Sequence, residues 1–204
     1  MIGVVDYGMG NIFSLTGALK RLNIEYMLSE EIEDLKKCNA LILPGVGAFP
    51  DAMENLKARK LDVFIKEWAN SGKPILGICL GMQLLFSESL EHGLNIGLDL
   101  IPGSVERIPE IVKVPHMGWN NITKTNKHKF LEDYPEGYVY FVHSFYAKTS
   151  EEYILAKTLY GVEIPGIVGN GSVIGIQFHP EKSSKVGEEI LKEILRKWGV
   201  FDGV

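Results

Sequence analysis

Pro74-Ile-Leu-Gly-Ile-Cys79-Leu-Gly-Met-Gln-Leu-Leu-Phe86 sets two apolar runs on either side of a cysteine. An apolar run, Ile75 to Ile78, predicts a buried strand, and a second run, Leu80 to Phe86, predicts the start of a helix. Cys79 stands at the join, with Gly77 two residues before it and Gly81 two after. This is the layout of a nucleophile elbow, a sharp strand-to-helix turn with its nucleophile at the tip. The tip residue takes a strained backbone conformation, and its neighbours must be small where strand end and helix start crowd each other. Amides at the helix start, such as that of Leu80, favour a thiolate and can bind an oxyanion. A lone cysteine between two core elements is otherwise a packing residue. The two glycines turn the reading toward an elbow, and an elbow needs a base.

Toward the N-terminus, strands alternate with helices. Residues 2–5, 25–28, 40–43 and 75–78 read as short apolar strands. Between them come a stripe of Ile12, Leu15, Leu19 and Leu22 capped by Asn11, a polar helix over 30–37, and helices over 51–57 and 61–69. The alternation predicts a wound, largely parallel α/β sheet flanked by helices. Gly8-Met-Gly10 resembles a dinucleotide-binding turn, but Phe13 occupies the third glycine position, so that reading is set aside. Past Glu91 the pattern changes. Residues 95–175 alternate short strands with expected turns at Pro102-Gly103, Asn120-Asn121, Pro135-Glu136-Gly137 and Asn170-Gly171, which predicts a smaller mixed or antiparallel sheet. Val186, Ile190, Leu191, Ile194, Leu195 and Trp198 form the stripe of a terminal helix.

Five histidines are candidates for the base. His128 lies among Lys124, Lys127 and Lys129 and reads as a solvated loop residue, and His92 follows a helix end. His116 sits in an expected loop, Val114-Pro-His-Met-Gly-Trp-Asn120, and His143 ends a strand over 138–142. His179 is the best candidate. It ends the apolar run from Val173 to Phe178, at the strand terminus where sites gather in wound sheets. Glu181 lies two residues on, and in extended chain residues i and i+2 point the same way. Pro180 keeps His179 extended. One carboxylate then orients the imidazole, completing an activated-nucleophile set.

The chain has 204 residues, 46% hydrophobic and 23% charged, which suits a single domain spanning 1–204. A net charge of -5 implies no nucleic-acid surface, and no stretch has the ~20 apolar residues of a membrane span. Two cysteines, Cys38 and Cys79, form neither a disulfide framework nor a metal pattern, so no metal or cofactor is expected and a reducing cytoplasm fits.

Gly77-Ile-Cys79-Leu-Gly81-Met-Gln83 and Gln177-Phe-His179-Pro-Glu181, in that order, resemble the motifs of the class I (triad) glutamine amidotransferases, over essentially the whole chain. Within that family, four segments are similar to the branch whose partner is the (β/α)8-barrel cyclase subunit of imidazole glycerol phosphate synthase. They are Asp6-Tyr-Gly-Met-Gly-Asn11, Pro44-Gly-Val-Gly-Ala-Phe49, the segment 114–120, and Tyr140-Phe-Val-His-Ser-Phe145. The resemblance implies a flavodoxin-like fold and hydrolysis of L-glutamine through a thioester on Cys79. It implies an oxyanion hole from Leu80 and an amide of Val46 or Gly47, and glutamine contacts at Gly45, Gln83, Ser144 and Phe145. It also implies a heterodimer that hands ammonia to the barrel for histidine biosynthesis. The amides of 45–47 are expected to turn toward the site when the partner binds. Asn11, residues 116–120 including Trp119, Tyr140 and Lys182 are expected at the partner face. Glutaminases feeding anthranilate, aminodeoxychorismate or pyridoxal phosphate synthesis, and a non-catalytic module on the same fold, remain as alternatives.

Overall fold

The computed structural model describes residues 1–125 and 135–201. Its first half runs β1 (Ile2–Val5), α1 (Ile12–Arg21), β2 (Tyr26–Ser29), α2 (Ile32–Leu35), β3 (Ala40–Leu43), α3 (Phe49–Ala58), α4 (Leu61–Asn70), β4 (Ile75–Ile78) and α5 (Leu80–Leu84). Then follow β5 (Phe86–Ser89), β6 (Asn95–Ile96), β7 (Ile101–Arg107), β8 (His116–Lys124), β9 (Gly137–His143) and β10 (Phe145–Lys148). The chain closes with β11 (Ile154–Tyr160), β12 (Val162–Asn170), β13 (Val173–Ile176) and α6 (Ser184–Lys197).

Among the described residues, nine strands form the central sheet in the order β2-β1-β3-β4-β13-β12-β11-β8-β9. The first five are mutually parallel, an order that matches the flavodoxin-like doubly wound pattern. From β13 onward the sheet continues antiparallel. The smaller sheet, β10-β7-β5-β6, is mixed: β5 and β7 are parallel and the other pairs antiparallel. The two-sheet arrangement holds, but most strands of the second half extend the central sheet, and the small sheet begins at Phe86, before Glu91.

Alternation along the strands supplies two cores. Val5, Leu41, Leu43 and Ile75 face one side, against Leu56, Leu61, Phe64, Ile65 and Trp68 of α3 and α4. Ile2, Val4, Ile42, Leu76, Ile78 and Ile176 face the other, against Leu15 and Leu19 of α1 and Ile190, Leu191, Ile194 and Leu195 of α6. β1, β3, β4 and β13 are buried along their whole length, as strands covered on both faces must be.

Some expectations differ from the structure. The apolar run after Cys79 is one short helix, Leu80–Leu84, before the chain turns into β5. Pro102-Gly103 lies within β7 and Asn120-Asn121 within β8, so neither is a turn. The segment around His116 is therefore strand, with the His116 ring fully buried. His128 lies outside the described residues. The Asn170-Gly171 turn does join antiparallel strands, β12 and β13, with Gly171 at φ 59°.

Candidate active site

Cys79 adopts φ 56°, ψ -112°, a positive φ that costs a non-glycine residue free energy and is held by its surroundings. Its amide donates to the Ile176 carbonyl at 2.7 Å, fastening the elbow to β13. Gly81 is obligatory here, because a Cβ would overlap the Leu43 carbonyl at the end of β3. A Cβ at Gly77 would come 2.6 Å from the Gly81 oxygen. The helix behind the elbow is only five residues long, so its dipole is small. The first-turn amide of Leu80, which has no intrahelical acceptor, is the local polar feature beside the sulfur.

β13 runs parallel to β4 and ends beside it, so the chain leaving β13 carries His179 to the elbow. Residues 180–182 form a 3-10 turn that brings Glu181 back under the ring. His179 Nδ1 lies 2.8 Å from Glu181 Oε1, with both side chains about 4% or less exposed. That bond leaves Nε2 free to face Cys79, which lines the same cavity as the ring. Burial alone pushes the imidazole toward neutrality, but the sulfur and then Glu181 outweigh it and raise its pKa to about 10.

Cys79 and His179 line a cavity of about 350 Å³, with Glu181 behind the ring. Val46, Gly47, Leu80, Gln83, Ser144, Phe145 and Lys182 are among its walls, so with Cys79 and His179 four separate segments converge on it. Gly45 does not line it. Gly45 lines a smaller neighbouring cavity with Asn11, His179 and Glu181, and is packed so that a Cβ would meet Tyr7 Oη, Gly81 N and Leu80 Cβ. Asn11 caps α1, accepting from the Ser14 amide at 3.3 Å. Gly47 takes φ 108°, and Val46 is 40% exposed, so the stretch facing Cys79 is neither regular nor deeply packed. Its upstream end is anchored: the buried Tyr7 hydroxyl donates to the Pro44 carbonyl at 2.7 Å. Burial, then the Cys79 sulfur, push the Tyr7 phenol far up, so it remains a donor.

Trp119 and Tyr140 are register partners across β8 and β9, their rings edge-on at 6.0 Å. With Met117 and Tyr138 they make an exposed, partly aromatic face on the edge of the central sheet, next to Val142 on the cavity wall.

Four residues beside the site receive no role from the sequence, although His143 is weighed there as a base and Gln177 stands in the second motif. Glu91 is buried on the cavity wall, its carboxylate accepting from the Phe49 amide at 2.8 Å. His143 also lines the cavity. Gln177 accepts from Gln83 Nε2 at 3.1 Å, while Gln83 Nε2 also donates to the Phe145 carbonyl at 2.9 Å. Ser183 is fully buried between Tyr140 and His179. The only available signal is closeness to the motifs, for Gln177 and Ser183; Glu91 looks like a surface charge until the fold buries it. Among the described residues, no three His, Cys, Asp or Glu side chains are grouped to hold a metal ion, and no helix is long and apolar enough to cross a membrane.

Residues 3–198 match the glutamine amidotransferase class-I family. Similar proteins include the imidazole glycerol phosphate synthase subunit HisH of a Geobacillus species, 51% identical over 94% of each chain. The subunit of the same name from Halalkalibacterium halodurans is 52% identical over 94% of each chain, and that from Bacillus subtilis 49% over 96% of each. A crystal structure of a glutamine amidotransferase superposes with a TM-score of 0.78 at 22% identity, covering 97% of this chain and 98% of that one. The PurLQS structure from Thermotoga maritima superposes with a TM-score of 0.72 at 21% identity, covering 96% and 97%. At such identities these structures speak for the fold alone.

Proposed function

The chain belongs to the class-I glutamine amidotransferase family, and from that premise we propose that it is the glutaminase subunit of an imidazole glycerol phosphate synthase. It hydrolyses L-glutamine to glutamate and ammonia and passes the ammonia to a (β/α)8-barrel cyclase subunit, in the cytoplasm, as one catalytic domain over residues 1–204. One observation carries the reading: a buried His179–Glu181 pair, Nδ1 to carboxylate at 2.8 Å, whose ring lines one cavity of about 350 Å³ with Cys79.

The steps follow from that geometry. His179 Nε2 takes the Cys79 proton, and the thiolate attacks the side-chain amide carbon of glutamine. The Leu80 amide and one from Val46-Gly47 hold the tetrahedral oxyanion. Collapse breaks the C–N bond, His179 gives its proton to the departing ammonia, and a γ-glutamyl thioester remains on Cys79. Water attacks next. His179 takes the water's proton, the C–S bond breaks, and the proton returns to sulfur as glutamate leaves. Glu181 keeps Nδ1 protonated throughout, so Nε2 always faces the reacting atoms. Gln83 and the Ser144-Phe145 backbone grip the glutamine, and Glu91, a buried carboxylate on the same wall, receives its α-ammonium.

The partner seats on the Trp119–Tyr140 face, with Asn11 and Lys182 near the site mouth. The positive φ of Gly47 and the exposure of Val46 support a stretch that turns its amide toward the oxyanion when the partner is seated. The test is glutamine hydrolysis with and without the cyclase subunit and its nucleotide ligand, with Cys79→Ala as control. Turnover is expected to be slow alone and to rise sharply in the complex. Equal turnover in both would remove the partner reading, and activity surviving in Cys79→Ala would remove the catalytic one.

A further inference from the structure

Two histidines outside the triad are paired across β8 and β9. His116 is fully buried and His143 is 6% exposed. Their contacts form one chain. His143 Nδ1 lies 2.8 Å from the Phe145 carbonyl, His143 Nε2 lies 3.0 Å from His116 Nδ1, and His116 Nε2 lies 2.8 Å from the Asn120 side-chain amide. The Asn120 oxygen is the atom placed toward the ring.

The protons in this chain can be counted. A carbonyl only accepts, so His143 Nδ1 must carry a hydrogen. A neutral His143 then presents a lone pair at Nε2, and His116 must donate from Nδ1. A neutral His116 in turn presents a lone pair at Nε2, which needs a donor. With the Asn120 oxygen facing it, the chain closes only if one ring is a buried cation. With the amide turned by 180°, an exchange of near-identical shape, Nδ2–H supplies the donor and every group is satisfied without charge. Three facts favour the neutral solution. Burial pushes both His116 and His143 down, the latter to about 3. The hydrogen-bond partners of both rings are neutral groups, and His116 is stacked between Tyr160 and Phe141 at 3.9 and 4.8 Å. Positive charge on the nearby His179 would disfavour a second cation at His143.

We propose that Asn120, His116 and His143 form a neutral, one-directional hydrogen-bond relay, Asn120 Nδ2–H to His116, His116 Nδ1–H to His143, His143 Nδ1–H to the Phe145 carbonyl, which positions the glutamine-holding wall. The Phe145 carbonyl then receives two donors, His143 Nδ1 and Gln83 Nε2, and its orientation is set from both sides. Asn120 is the residue after Trp119, so the relay ties the exposed face of β8 to the cavity. His116 and His143 are positioning residues that act through the backbone of Phe145. The positioning role rests on the glutaminase reading; the protonation pattern does not.

The pattern is read in the full-length chain, labelled with 15N-histidine, by long-range 1H–15N correlation at neutral pH. Both rings are expected to be neutral and protonated at Nδ1 alone. A neutral His116 protonated at Nε2, or either ring as an imidazolium, overturns the relay. The role is read as KM against kcat for glutamine hydrolysis in the complex with the cyclase subunit. His116→Phe keeps a ring between Tyr160 and Phe141 but loses the donor to His143. His116→Asn loses the ring but places an amide donor where Nδ1 stood. A positioning role predicts that His116→Phe raises KM about tenfold, the worth of one hydrogen bond, and that His116→Asn restores it to within about threefold. A space-filling role predicts the reverse order. An unchanged KM in His116→Phe, or a KM in His116→Asn at least as high, overturns the positioning role. Loss of glutamine hydrolysis in the unmodified complex would instead remove the glutaminase reading and leave the tautomer result standing.

Discussion

Replacing Ser183 by alanine tests how the base is held. β9 is the outer strand of the central sheet, and Tyr140 on it has no neighbouring strand on its outward side. The returning chain fills that side. The His179 amide donates to the Tyr140 carbonyl at 3.0 Å, the Tyr140 amide donates to Ser183 Oγ at 2.9 Å, and Ser183 Oγ donates to the His179 carbonyl at 2.6 Å. In Ser183→Ala the His179 carbonyl keeps a partner, the Lys182 amide at 3.0 Å. The Tyr140 N–H keeps none, and Ser183 is fully buried, so water does not replace the hydroxyl. Loss of the net bonds, about 1 kcal/mol, and an orphaned buried N–H, about 1–2 kcal/mol, sum to about 2–3 kcal/mol. Ser183 makes no side-chain cap bond to α6, so helix capping adds nothing to that figure. Urea titration at fixed m-value reads the change, and for a domain of this size Tm should fall by about 5–10 °C. Turnover in the complex should fall about tenfold, because His179 loses one of the ties that set its backbone. A stability change under about 0.5 kcal/mol, the usual size for an unimportant surface site, would refute the reasoning.

Glu181→Gln keeps an acceptor for Nδ1 but removes the charge, so kcat in steady-state glutaminase assays should fall about 100-fold with little change in KM. Glu91→Gln keeps the bond to the Phe49 amide while losing the carboxylate, and KM for glutamine should rise about 10–100-fold, the worth of a charge-assisted hydrogen bond. Stability has two pH limits of opposite sign. His179 is raised to about 10, so its contribution is full below the unfolded value near 6.5 and is lost as pH climbs through 10. His143 is lowered to about 3, so its contribution is full above about 6.5 and is lost as pH falls toward 3. Urea midpoints across pH should therefore peak near neutrality, with Cys79→Ala flattening the alkaline limb and His143→Gln the acid one. Trp119→Ala should weaken binding to the cyclase subunit at least tenfold by calorimetry, as loss of an exposed aromatic anchor does, and leave Tm within about 2 °C.

The parallel half was legible because its physics is local. Strands buried on both faces are continuous apolar runs, and each helix of three turns packs a 3.6-period stripe. Leu80 to Phe86 defeated that reasoning, since an apolar run is equally good as buried helix or buried strand. The helix stops at Leu84 because Leu84, Leu85 and Phe86 turn their carbonyls to the amides of residues 98–101 at the small sheet. Asn120-Asn121 misled for a related reason. Turn dipeptides are tolerated in β8, which pairs with β11 only at Thr123 and Lys124, because the alternate positions, His116 and Ile122, supply the buried face. The grouping of Cys79, His179 and Glu181 was legible because elbow and candidate base each carry a short-range signature, two glycines around Cys79 and an i, i+2 carboxylate after His179. Glu91 and the His116–His143 pair carry none. Their roles come from which strands are neighbours, and that is a property of the sheet order.

That order also explains why the base and the exposed aromatic face belong together. β9 carries Tyr140, whose side chain meets Trp119 at the surface and whose backbone holds His179 and Ser183 on its other edge. Three residues on, the same strand ends in His143, bonded to the Phe145 carbonyl that Gln83 also grips. The candidate base and the Phe145 wall of the cavity thus hang from one outer strand, by backbone bonds at one point and an imidazole at the other. A protein seated on Trp119 and Tyr140 touches that strand directly, without any path through the parallel sheet. An elbow on β4, rigid between β3 and β13, supplies a nucleophile whose position does not depend on the partner. Under the proposed function, the parts left for a partner to set are the base loop and the 45–47 stretch, which both line cavities with His179 beside the elbow.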